Sequence, residues 1–135
     1  MVVSMLAQSS RDLALRILKL GGGSSLLAHL RRSRNENVLL PVASALRALV
    51  EAWGASQGLS DWAGVNPLEG QEDSIEILVG LLKKQDHDLL HLEGAVMIYH
   101  VCTHQPELMA RAAKAGAVDR LVRMIEETRQ EGLNH

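Results

Sequence analysis

The 135-residue chain is 47% apolar but has no Phe, two Trp and one Tyr, so its core must be built from Leu, Val, Ile, Ala and Met, a palette that favours helices within a single domain. Its one cysteine, Cys102, excludes an internal disulfide. No Asn-x-Ser/Thr site and no secretion-type start occur, no apolar run approaches the roughly 18 residues of a bilayer-crossing helix, and the setting implied is cytoplasmic or nuclear, with no membrane. The net charge of −2 hides a polarity: residues 1–50 carry seven Lys/Arg against two acids, 51–110 two against ten, and 111–135 five against four. Such a distribution can orient a charged partner or a second copy.

Residues 1–8 read as the end of a long helix. SRDLALRILKL follows, with Leu13, Ile17 and Leu20 on one helical stripe, and Gly21, Gly22 and Gly23 supply the turn that ends it. Ser24 or Ser25 is placed to cap SSLLAHLRR, whose Leu26, Leu27 and Leu30 share a face. Asn35 opens a longer helix, NENVLLPVASALRALVEAW, which Pro41 should bend or split. Residues 53–73 form an insert rich in glycine, holding both tryptophans and an acidic close. Beyond it come a short helix with Ile77, Leu78 and Leu81, a long one including EGAVMIYHV, then PELMARAAKA with Pro106 in its opening turn, and AVDRLVRMIEET.

The chain repeats itself. A shift of 95 residues aligns 1–33 with 96–128 without a gap, bringing Leu13 onto Leu108, Arg16 onto Arg111, Lys19 onto Lys114, Gly21 onto Gly116 and Leu26 onto Leu121. Apolar positions coincide as well, Leu27 with Val122 and Leu30 with Ile125 among them. A shift of 51 lays Leu26, Leu27 and Leu30 on Ile77, Leu78 and Leu81. The unit is therefore about 44 residues long, with extra material in its middle copy. Its boundaries fall at 1–52, 53–104 and 105–135.

The glycine in Ala115-Gly116-Ala117-Val118, the phase of Leu121, Val122 and Ile125, and the small-residue-rich helices VASALRALV and EGAVMIYHV together resemble the armadillo-repeat family. The resemblance implies an all-α fold, a right-handed α-solenoid of about two and a half units, whose long helices line a groove for extended peptides or partner domains. The family's Trp and Asn ladder that grips a ligand backbone is replaced here by Ser44, Ala48, Val96 and His100. Groove contacts are therefore expected from Arg47, Glu51, Tyr99, His100 and Thr103. The repeat starts inside a long helix and stops without another, so the expectation is a piece of a larger solenoid or one that stacks on a second chain. Val3, Leu6, Leu121 and Ile125 are the candidate self-association residues.

Other sites follow from residue chemistry. Leu59, Trp62, Val65 and Leu68 form a candidate partner-facing patch on the insert; the alternative is that Trp53 and Trp62 fold back to fill the space of a missing helix. His87 and His91, and again His100 and His104, have the four-residue spacing of metal ligands, with Cys102 between the second pair. The two pairs lie about 180° apart around an ideal helix, so they do not converge. No metal, no cofactor and no catalytic set is expected. Arg31, Arg32 and Arg34 could meet phosphates, but no aromatic residues interleave them, which argues against nucleic acid. The function expected is a non-catalytic scaffold or adaptor binding a protein or peptide partner, with self-assembly as the alternative.

Overall fold

A computed structural model describes the backbone of residues 2–70, 72–84 and 87–133, and the side-chain surroundings of residues 10–70, 72–84, 87–127 and 129. Every regular element among the described residues is helical: α1 (Val2–Lys19), α2 (Gly22–Arg32), α3 (Glu36–Ala55), α4 (Ser74–Leu82), α5 (Asp88–His104), α6 (Leu108–Lys114) and α7 (Ala117–Leu133), with one 3-10 turn at Ser60–Trp62. The all-α class expected from composition is what the chain adopts. Contacts divide it into two compact units, Met1–Ser74 and Ile75–His135.

In the first unit α3 packs on both α1 and α2. Residues 2–8 and the following segment form a single helix, α1, where a boundary between two was expected. Gly21 then adopts φ 86° and ends it. Gly22 and Gly23 start α2 in close contact, one against Ile17 and the other against Leu18 and the Pro67 carbonyl. This tight corner turns Ala14 inward and leaves Ile17 and Leu18 half-buried, while Leu13 and Leu20 are exposed. The stripe expected through Leu13, Ile17 and Leu20 is thus rotated around the helix. Neither Ser24 nor Ser25 caps α2; its cap position is Gly21, which offers no side chain.

Asn35 caps α3 as expected, its side-chain oxygen accepting from the Asn37 N–H at 3.0 Å. Pro41 does not split the helix. It stands in the second turn, where its ring removes one hydrogen bond, to the carbonyl of exposed Asn37, while Leu39, Ala43, Leu46 and Val50 bury the opposite face. By length and composition alone α3 is long and apolar enough to span a bilayer, where the sequence reading found no apolar run of that length. Its apolar stripe is instead taken up by α1 and α2.

The insert belongs to the first unit and folds inward. Trp53 Nε1 donates to the Val65 carbonyl at 2.8 Å, the Pro67 carbonyl rests on Gly23, and Arg31 pairs with Asp73 at 2.6 Å.

In the second unit α5 packs on α6 and α6 on α7. Gly94 of α5 allows α4 to approach, since a β-carbon there would stand 3.1 Å from the Leu78 carbonyl oxygen and from Leu81 Cβ. Two cations brace the helix ends reciprocally. Lys83 Nζ donates to the Ala115 carbonyl at 2.7 Å, and Arg120 Nε to the Leu82 carbonyl at 2.6 Å. Each satisfies a C-terminal carbonyl that the helix itself leaves open. Arg111 pairs with Glu76 at 2.9 Å.

Candidate functional site

An apolar cavity of about 390 Å³ opens among α5, α6 and α7. Ile98, Tyr99, Cys102 and Thr103 form one wall, Met109, Ala112 and Ala113 the floor, and Val118 and Leu121 the other wall. The alanines of MARAAKAGAV create the recess, because side chains that end at Cβ keep the helices close without filling the space between them. Tyr99 is exposed at the rim, its ring edge-on to His100 with centroids 5.4 Å apart. Thr103 Oγ1 donates to the Tyr99 carbonyl at 2.6 Å, which turns its methyl group away from the backbone.

The cavity gathers Tyr99 and Thr103 from the expected groove residues and Leu121 from the candidate self-association residues. Met109, Ala112, Ala113 and Val118 were not singled out by sequence; the run of small residues beside an exposed methionine was the available signal. Arg47 and Glu51 belong to the first unit and pair with each other at 2.7 Å, four residues apart on α3. His100 is half-buried beside Tyr99.

On the insert, Trp62 is 5% exposed and Leu68 is buried. Neither presents a surface, which corrects the partner-facing patch: Leu59 is exposed, Val65 is half-buried and its carbonyl receives Trp53. The physical reason is that burying the large indole surface outweighs leaving it in water once Trp53 has a carbonyl partner for its N–H.

The histidines serve locally. His91 is buried and its Nε2–H donates to the Lys84 carbonyl, while His87 takes the cap position of α5 and His104 is exposed. Among the described residues no three His, Cys, Asp or Glu groups stand together as a metal set. Of the arginines considered for phosphate contact, Arg31 is paired with Asp73 and Arg32 Nε donates to the Ala28 carbonyl at 3.4 Å.

Burial pushes the Cys102 thiol above its ordinary pKa, because desolvation penalises the thiolate. The folded thiol is the weaker acid, so this group costs no stability at neutral pH and erodes it only as pH rises past the ordinary thiol range. Alkylation of Cys102 at neutral pH is expected to be several-fold slower in the folded chain than in the denatured chain. Equal rates would show that the thiol is not sheltered in the cavity wall.

Gly21 and Gly116 both have positive φ, 86° and 98°, and each immediately precedes an aligned helix, α2 or α7. The two helices differ in what covers them. Leu27 and Leu30 of α2 are buried in a unit where α3 packs on α2, whereas the aligned Val122 and Ile125 of α7 are 48% and 67% exposed. The side chains of Val3 and Leu6 lie outside the described residues. Comparisons of the chain with protein-family models, curated proteins and solved structures return no match.

Proposed function

We propose that this chain is a non-catalytic protein–protein interaction scaffold, an armadillo-like solenoid piece that holds a partner segment against the apolar faces of its helices. The observation that carries the reading is the cavity among α5, α6 and α7, where apolar side chains dominate and exposed Tyr99 and Met109 stand at the rim. Recesses of this size with an aromatic edge suit one or two bulky apolar side chains of a peptide or helix. The matched glycines at 21 and 116 support the repeat. The partner is a protein or peptide and the mechanism is stoichiometric binding.

Affinity capture from a cell extract tests this with the intact chain and a Tyr99→Asp, Met109→Asp variant. Both positions are exposed, so the variant should keep its helix content. A discrete protein retained by the intact chain and lost by the variant supports the scaffold; identical captures from both contradict it.

A second reading is favoured by Val122 and Ile125: the chain assembles with copies of itself through exposed helix faces.

A further inference from the structure

We infer that α7 of one copy receives α1 of a second copy, giving head-to-tail assembly of the chain. This deepens the self-assembly reading and does not depend on a partner segment in the cavity.

Each helix carries apolar side chains that are exposed among the described residues. On α7, Val118, Val122 and Ile125 follow one another at four and three residues, the spacing of a helix–helix seam, and all three are exposed. On α1, Leu13 and Leu20 stand seven apart and are 59% and 82% exposed; by sequence Leu6 continues the same line. Seven-residue spacing keeps a stripe at nearly constant phase along a helix. Beside Leu20, an open recess is lined by Asp12, Leu15, Arg16, Lys19 and Leu20.

Charge selects α1 against α7 over either helix against itself. At about 100° per residue, Asp119 and Glu126 lie along one flank of the α7 stripe with Arg123 between them, all exposed, a net charge of −1. Along α1 the flank holds Arg16 and Lys19, also exposed, with Asp12 between them in phase, a net charge of +1. Two α7 helices would bring net-acidic flanks together and two α1 helices net-basic ones, while α1 on α7 opposes unlike net charges. Arg129 continues the α7 line one turn on and sets the end of the apolar contact. The repeat gives a precedent, since the α2 positions aligned with this face are buried where α3 packs.

A heterologous contact leaves a free α1 face and a free α7 face on every pair, so assembly does not stop at two copies unless a ring closes. Sedimentation of the full chain over increasing concentration is expected to show mass rising past that of a dimer. Leu13→Glu and Ile125→Glu each change an exposed position, so circular dichroism should match the parent. Each variant alone is expected to associate at least about tenfold more weakly. Mixed, they should form a one-to-one pair and nothing larger, because the first retains a working α7 and the second a working α1. A parent chain that stays monomeric throughout overturns the inference. So does a single variant that still assembles alone, which would indicate like-with-like pairing, or a mixture that fails to pair. The cavity variant of the capture experiment leaves Leu13 and Ile125 untouched, so the two readings fail separately.

Discussion

Gly23→Ala is expected to destabilise the first unit by about 2–3 kcal/mol, more than a glycine-to-alanine change at any other glycine whose surroundings are described. A β-carbon at this position would overlap the Pro67 carbonyl oxygen, lie 3.0 Å from the Pro67 carbonyl carbon and 3.2 Å from Leu18 Cδ2. The principal obstacle is backbone, which cannot rotate aside as a side chain can. Either the start of α2 or the end of the insert would have to move, and both are fixed by neighbours: Gly22 against Ile17, and Leu68 by its N–H donating to Asn66 Oδ1 at 3.0 Å. Gly80→Ala provides the internal comparison. It lies within α4 with no atom inside 4 Å of the added carbon, so it should stabilise by about 0.5–1 kcal/mol through helix propensity. Chemical denaturation of both variants beside the parent measures the difference, and equal stabilities for Gly23→Ala and the parent would mean that the insert does not rest on α2 as described.

Trp62→Ala is expected to cost about 3–5 kcal/mol of stability, the usual consequence of removing a large aromatic side chain from a packed interior. A tryptophan held on the surface for a partner would instead change stability by about 0.5 kcal/mol or less. The same denaturation experiment therefore separates the two roles. A small loss of stability would return Trp62 to the list of binding candidates, while the large loss confirms that the insert is built inward around its indoles.

Much of the helical plan was legible because it rests on local chemistry. Gly21 and Gly116 mark turns since positive φ suits glycine, and Asn35 marks a helix start since its side chain reaches the Asn37 N–H. Local signals mislead where long-range packing decides. The expected stripe of Leu13, Ile17 and Leu20 was a sound helical pattern, yet the glycine corner rotates α1 so that Leu13 and Leu20 face outward. Pro41 suggested a bend or a split, and the helix runs through it unsplit with the apolar face of α3 buried opposite. For Trp62 two placements were open, on a partner-facing patch or folded back with Trp53, because which one a loop aromatic takes depends on long-range packing that the local pattern does not fix. The cavity was only partly legible for a related reason: a recess is made by what alanines do not fill, and only Tyr99, Thr103 and Leu121 stood out by their own chemistry.

The central claim is that the α5–α6–α7 cavity is the recognition surface of a scaffold. The most direct measurement places a photoreactive amino acid at Met109, on the rim, and in a second sample at Gln57, exposed on the insert, and irradiates each in cell extract. The prediction is a discrete crosslinked protein from position 109 and none from position 57. Crosslinks from 57 alone, or the same diffuse products from both, would contradict it.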